Sequence, residues 1–346
     1  MLGIRRQTIR AWLLCESYED SRGWKKDVKR SHTDLEEDRV ATLKRQRIDG
    51  KKFFLGTAYI QMDYAKAYPE NPPLSTWFID DVVRRHGLQT HEPKKRGKGQ
   101  NIVSRLLFPI KSIVSLGTIQ QSIDFIGKKF IQGSNEPVSI FSTSYYQGLQ
   151  LFQIQRVLAE KTEEVIRCLT GIWQTFPVAD VMRMDNGATW RGAVGAEATI
   201  SRCLRFMLNL GVKPLFSAPY QSYTNPHIEG HNRTFTEKLW SRHFFTSLEQ
   251  IDDECIKFNA ESRELYDWKF KERLSRSGIR YLGVTETVPY DILRSTKGKK
   301  IYFIRFVERW KEDDGRVGVM VLNRFVDVPD AYLNHRRRLN VTCLLT

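Results

Sequence analysis

The chain has 346 residues, 41% of them hydrophobic and 12% aromatic, which supplies apolar material for two or three domains and excludes wholesale disorder. Its formal net charge is +15, and residues 1–111 alone hold 23 Lys and Arg against 14 Asp and Glu, a surplus of +9 that points to a polyanionic partner. Five cysteines scattered without Cys-x-x-Cys spacing argue against a disulfide scaffold or a zinc finger, and no apolar run approaches the ~20 residues of a membrane span, so a soluble cytoplasmic protein with reduced thiols is expected.

At the start, Leu2-Gly3-Ile4-Arg5-Arg6-Gln7-Thr8-Ile9-Arg10-Ala11-Trp12-Leu13 has the grammar of a helix-turn-helix: a Gly turn, then a helix with Ile9, Trp12 and Leu13 inward. Arg5, Arg6, Gln7 and Arg10 then face outward, where they could reach phosphates or base edges, although a generic amphipathic helix has the same pattern. The chain begins on the turn itself, so residues 1–30 are expected to form a partial helix-turn-helix whose first helix lies upstream. A capping-box pattern at Ser31-His32-Thr33-Asp34-Leu35-Glu36-Glu37 opens a helix over 34–48, and another follows over 56–67. A third, over 75–86, starts behind Pro72-Pro73 and stops at Gly87. Residues 31–100 thus read as a second helical DNA-binding domain. Helix 75–86 would be its reader, and Lys94, Lys95 and Arg96 would lie in a flexible basic linker along a phosphate backbone.

From about residue 112 the texture changes. Strands are expected at 118–128, 137–145 and 150–158, then a helix over 161–176 with Val165, Ile166, Leu169, Ile172 and Trp173 on one buried face. A strand at 179–185, a helix over 195–210 stopped by Gly211, a strand at 212–217 and a long helix from Glu229 complete the series. This order describes a ribonuclease-H-like α/β fold over 112–275, a mixed sheet flanked by helices. Three β-like runs at 300–307, 317–322 and 324–328 suggest a small β-barrel over 285–340, with Arg336-Arg337-Arg338 as a basic tail.

The run Val181-Met182-Arg183-Met184-Asp185-Asn186-Gly187 alternates apolar residues and stops at Asp-Asn-Gly, as a strand entering a turn would. Any strand-to-loop junction can end this way; its company singles this one out. Upstream, Ile119-Gln120-Gln121-Ser122-Ile123-Asp124-Phe125-Ile126-Gly127 carries a second acid in a strand-like run. Downstream, Asn225-Pro226-His227-Ile228-Glu229-Gly230-His231-Asn232-Arg233 puts a third where a turn opens into a helix. Two strand-borne Asp and a helix-borne Glu suit a site for two Mg²⁺ ions, with Mn²⁺ able to substitute. Asp124 would bridge both ions, Asp185 would hold one and Glu229 the other. Three crowded carboxylates repel one another, a cost that makes sense where divalent ions offset it. Asn232 and Arg233, at +3 and +4 from Glu229, share its helix face and could grip a DNA strand; Lys238, at +9, lies about 180° away and fits less well. His227 and His231 read as structural or DNA-contacting residues rather than ligands, and Trp190 as a packing residue.

Together, the motifs around Asp124 and Asp185 and the stretch from Pro219 through Asn225 to Thr234 resemble the DDE transposases of bacterial insertion sequences, in the retroviral-integrase catalytic-core superfamily. The last stretch corresponds to that family's Pro … Asn-Gly … Glu-Arg … Asn signature, and the resemblance covers roughly 110–270. It implies a core flanked by helix-turn-helix and β-barrel units. It also implies metal-dependent cleavage at element ends, and transfer of the freed 3′-hydroxyl into target DNA by a homo-oligomer assembled on terminal inverted repeats. Two features depart from the family. The 43 residues at 186–228 exceed its usual spacing, with the excess expected around Trp190 to Ala198 and bringing a further acid, Glu197. Gly230 stands where Arg is more often found. A catalytically inactive DNA-binding remnant or regulator, and a ribonuclease-H-like nuclease that hydrolyses without joining, are the alternatives.

Overall fold

The computed structural model describes residues 32–90, 113, 115–131, 133–135, 137–147, 149–192, 200–219, 224–270, 279–283, 298–306, 308–309, 316–322, 324–329 and 338–344. The expected partial helix-turn-helix, with Arg5, Arg6, Gln7 and Arg10, and the linker residues Lys94, Lys95 and Arg96 lie outside them, as does Glu197.

Three helices come first. Helix α1 (Asp34–Asp49) opens on the capping box: Thr33 Oγ1 accepts from the Glu36 N–H at 3.2 Å, and Glu36 Oε2 accepts from the Thr33 N–H at 2.7 Å. Helix α2 (Thr57–Ala67) follows, and α3 (Thr76–Arg85) is capped by Ser75, whose Oγ accepts from the Phe78 N–H at 3.1 Å. Val40, Ile60, Phe78, Ile79 and Val82 close a small core among them. On α3, the helix expected to read DNA, Arg84 is paired with Asp81, and Arg85 with both Asp81 and Glu37, while Trp77 stands 62% exposed.

A buried cluster docks this unit on the rest of the chain. Arg47, 4% exposed, pairs with Asp63 and donates to the Phe54 carbonyl at 2.9 Å and to Glu261 at 3.0 Å. Glu261 also accepts from the Phe53 and Phe54 N–H groups at 2.9 and 3.1 Å. Phe53 and Phe54 pack on Phe258 one helical turn earlier.

The central sheet begins with β1 (Gln120–Phe130), β2 (Pro137–Gln147) and β3 (Leu151–Val157), an antiparallel meander. Helix α4 (Thr162–Thr175) buries Val165, Ile166, Cys168, Leu169 and Trp173 and returns the chain to β4 (Val181–Met184), which pairs in parallel with β1. A one-turn helix α5 (Ala188–Arg191) and then α6 (Arg202–Asn209) lead to β5 (Lys213–Phe216), parallel to β4. With β10 (Arg338–Leu344) and β6 (Lys300–Phe306), the sheet runs β10-β6-β5-β4-β1-β2-β3. The meander joined to parallel strands through helices fits a ribonuclease-H-like core. Strand β4 is buried on both sides, Arg183 included, so its alternating residues do not mark one wet face.

Two expectations are corrected here. The long helix from Glu229 is two helices, α7 (Pro226–Lys238) and α8 (Leu248–Lys269), separated by a 3₁₀ turn at Trp240–Arg242. It starts at Pro226, whose fixed φ suits a first helical turn, and Ser247 caps the second helix through the Gln250 N–H at 3.3 Å. The run expected to open a separate C-terminal barrel instead joins the core: β6 pairs in parallel with β5 and antiparallel with β10, which takes up Arg338 of the expected tail. Ile301, Phe303 and Ile304 are buried on both faces of β6, so a position inside a covered sheet satisfies them. Beyond it, β7 (Glu308–Arg309), β8 (Val317–Val321) and β9 (Arg324–Asp327) form a three-stranded antiparallel sheet.

Helix α8 covers the β3 edge of the sheet. Asn259 accepts from the Ile154 N–H at 2.9 Å and donates to its carbonyl at 2.8 Å, and Ser262 Oγ accepts from the Phe152 N–H at 2.8 Å. These side chains take the place of a further strand. Among the described residues no helix is long and apolar enough to cross a membrane.

Because Glu261 accepts from three donors with both oxygens, Glu261→Gln turns one acceptor into a donor facing a donor. A loss of about 3 kcal/mol in unfolding free energy is expected, with proteolysis concentrating on residues 32–90. An unchanged denaturation midpoint would show that the cluster does not hold the N-terminal unit.

Candidate active site

The register of the two central strands brings the first two acids together. Gln120, Gln121 and Ser122 of β1 pair with Val181, Met182 and Arg183 of β4, and two residues further on the same register sets Asp124 abreast of Asp185. The period of two puts both side chains on one face. Asp185 lies just past the last residue of β4, and its Oδ1 accepts from the Gly187 N–H at 2.9 Å. A Cβ on Gly187 would stand 3.1 Å from that oxygen and 3.2 Å from Trp190, so the turn leaves no comfortable room for a side chain there. Trp190 is buried and stacks on Phe125 at 5.2 Å, a packing residue as expected.

The third acid rides on α7, which its own polar side chains fasten to the sheet. Asn225, Glu229 and Asn232 fall at i−4, i and i+3, a single helix face. Asn225 Oδ1 accepts from Ser122 Oγ at 2.9 Å, and Asn232 Nδ2 donates to Asp124 Oδ2 at 2.9 Å. Behind them Ser142, the β2 residue paired with Asp124, lies 2.8 Å from Asn232 Oδ1 and 2.9 Å from His231 Nδ1. With the Asn232 amide nitrogen committed to Asp124, its oxygen must accept the Ser142 hydroxyl proton, and Ser142 accepts in turn from His231 Nδ1–H. His231 is 2% exposed, stacks on Phe152, and is pushed down to about 3 by burial, so it is neutral. Asn232 therefore orients a carboxylate, rather than standing free to grip DNA. Arg233 is exposed. Lys238 is 8% exposed, and burial lowers its pKa, with the charge of Arg242 adding to the effect; it lies beside Lys44 of α1 rather than on the cleft. His227 stacks on Tyr146 at 4.5 Å, and burial, then the charge of Arg183, lower its pKa.

Asp124, Asp185 and Glu229 line one open cleft of about 570 Å³, together with Asn186, Arg191 and Asn225. The Asp124 carboxyl is pushed up to about 7, first by burial, then by the Asp185 and Glu229 charges; the Phe125 N–H and the Asn232 amide partly offset the rise. Among the described residues no three His, Cys, Asp or Glu side chains are drawn close enough to enclose an ion. The carboxylates share the cleft while turned to N–H donors: Asp124 to Phe125 and Asn232, Asp185 to Gly187. Like charges facing one cleft are expected to do this. An all-oxygen donor set on three separate elements has the chemistry that a hard divalent cation takes. Ser142 and Arg191 have no signal in the sequence, and Asn225 stands there only as part of the motif around Glu229, without a role of its own. Asn225 had a local signal, an Asn-Pro opening a helix four residues before the acid, whereas Ser142 needed the β1–β2 register to be found.

No protein-family model matches this chain, and no curated protein matches it. Solved structures similar to it include the catalytic core domain of BIV integrase, 16% identical, covering 44% of this chain and 83% of that chain with a TM-score of 0.29. A chain of the simian T-cell lymphotropic virus intasome in complex with PP2A regulatory subunit B56 gamma is 10% identical, covering 83% of this chain and 95% of that chain with a TM-score of 0.33. Likeness at this level assigns neither activity nor site.

A carboxyl held at about 7 in the fold and at about 4 in the unfolded chain binds more protons folded than unfolded between those values. Its contribution costs nothing below pH 4, grows as pH rises, and is complete above pH 7. In the presence of a chelator, the melting temperature of Asp124→Asn should therefore gain on the wild-type chain between pH 5 and pH 8. A difference that does not change with pH would contradict the crowding of Asp124.

Proposed function

We propose that this chain is a polynucleotidyl transferase of the DDE transposase and integrase kind, which cuts DNA at element ends and joins the freed end to target DNA. The observation that carries this reading is the cleft itself. A strand-borne Asp124, a strand-end Asp185 and a helix-borne Glu229 converge there, and the two neighbouring charges help raise the Asp124 carboxyl to about 7. The surplus of positive charge in residues 1–111 supports a polyanionic partner, and Arg191 gives the acidic cleft a cation that a phosphate could meet.

On this reading Asp124, Asp185 and Glu229 would hold two Mg²⁺ ions. When bound, the ions supply a nucleophile usable at neutral pH and stabilise the charge on the leaving oxygen. The chain's own residues do the rest. Asn232, fixed by Ser142 and His231, keeps the Asp124 oxygen directed as an acceptor. Asn225 seats the start of α7 on β1, so that Glu229 faces the two Asp. Arg191 and Arg233 steady the phosphodiester and its flanking strand. In the first reaction a water oxygen bonds to phosphorus, the bond from phosphorus to the 3′-oxygen breaks, and a 3′-hydroxyl is released at the element end. In the second, that hydroxyl oxygen bonds to a target phosphorus and displaces the target's own 3′-oxygen, so one phosphodiester replaces another. Terminal inverted repeats and target duplex are the DNA partners, engaged by a homo-oligomer with the N-terminal helices as its DNA-binding part.

Incubation with labelled duplexes carrying the inverted repeats that flank its gene, with Mg²⁺ or Mn²⁺, tests this. Cleaved and joined products are expected, and Asp185→Asn should lower both by about two to three orders of magnitude while duplex affinity is kept. Arg191→Gln should weaken turnover by about tenfold with ion affinity unchanged, as loss of one charged phosphate contact would. Tight duplex binding with no cleavage under either metal would leave a DNA-binding remnant or regulator instead. Cleavage without joined products would identify a nuclease.

A further inference from the structure

Arg305 sits on β6, apart from the two strands and the helix that position the three acids, and is 3% exposed. Its guanidinium is spread over several elements. Nη2 donates to Asn186 Oδ1 at 2.8 Å; Nη1 donates to the carbonyls of Ser217 and Ile304, each at 2.9 Å; and Nε donates to the Met320 carbonyl at 2.6 Å. Asn186 closes a ring by donating its Nδ2 to the same Ser217 carbonyl at 2.7 Å. The Ser217 N–H donates to the Met184 carbonyl at 2.9 Å, the last residue before Asp185.

Both ends of the Asn186 amide are thus committed, and Asn186 and Ser217 both line the cleft. Asp185 is tied to its own turn through Gly187, so fixing Asn186 fixes the carboxylate beside it. A guanidinium suits this task because it is a rigid planar fork with several directed donors, whereas a Lys ammonium cannot reach acceptors on opposite sides of one plane.

We propose that Arg305 is a positioning residue of the active site, holding the Asp185-Asn186-Gly187 turn in register with Asp124. Through its bond to Met320 it makes the small sheet of β7, β8 and β9 part of that site. The inference rests on the functional reading above only for Asp185's role; the tie itself is independent of any metal or DNA. Reactive groups displaced by ~1 Å lose rate by about a hundredfold, so a small loosening here would be felt.

The test measures amide hydrogen exchange on the full metal-free chain, in the wild type and in Arg305→Met, Arg305→Lys, Asn186→Ala and the Arg305→Met/Asn186→Ala double variant. Mn²⁺ affinity is read by calorimetry on the same samples. Exchange at residues 185–192 should rise about tenfold in Arg305→Met and Asn186→Ala, with little more in the double variant, because the two act as one unit. Amides of β1 to β3 should be unchanged, Arg305→Lys should fall between, and Mn²⁺ affinity should drop about tenfold, as preorganisation of the ligands is lost. Unchanged exchange at the turn, additive effects, or acceleration spread equally through β1 to β3 would overturn the proposal, the last marking a purely structural arginine. Should Arg305→Met fail to fold, Arg305→Lys and Asn186→Ala carry the same comparison. A wild-type chain that binds no Mn²⁺ while its turn still loosens in these variants would sink the catalytic reading and support the tie.

Discussion

The parallel pairing of β1 with β4 at the middle of the sheet is the constraint on which the site depends. Side chains alternate along a strand, so a slip of one residue between these two would send Asp124 and Asp185 to opposite faces. The pairing of Ser122 with Arg183 prevents that, and β4 is buried throughout. The cost of the arrangement appears at Asp124, whose carboxyl is driven up by burial and by two neighbouring charges.

One continuous segment, from Asn225 to Lys269, connects the other features. Its first helix is fastened to the sheet by Asn225 and Asn232, so Glu229 is held by polar contacts on either side of it. Its second helix covers the β3 edge with Asn259 and Ser262 and presents Glu261 to Arg47 of the N-terminal unit. Buried polar networks of this kind specify one arrangement because a half-satisfied one is costly. Site, sheet edge and N-terminal docking therefore share a single scaffold, and a disturbance in α8 reaches all three.

The local elements were legible because their signals are local. The capping box at Thr33, the Ser75 cap and the 3.6-residue spacing of Val165, Ile166, Leu169 and Trp173 depend on neighbours within a turn or two. The three acids were legible as an ordered set, each at a recognisable junction of strand, turn or helix. The break between α7 and α8 was missed because an exposed 3₁₀ turn leaves little trace in a polar helix pattern. Strand β6 was assigned to the wrong neighbours because an apolar run shows that a strand will be covered, not which strand will cover it. Lys238, about 180° from Glu229 by helical angle, is buried on the far side of α7. Ser142, Arg191 and Arg305 carried no motif, since each becomes meaningful only through a partner far away in the chain.

What the amino-acid sequence determined by itself was therefore the periodicity of its elements, the caps that start its helices, its basic balance and the identities of three acids. These follow from sterics, hydrogen bonding and charge over a few residues. Only the tertiary structure decided that the three acids share one cleft, that Asn232 serves Asp124, and that a C-terminal strand reaches the turn beside Asp185. Those depend on strand order and register, which are set by how buried surfaces and buried polar groups are satisfied across the whole chain.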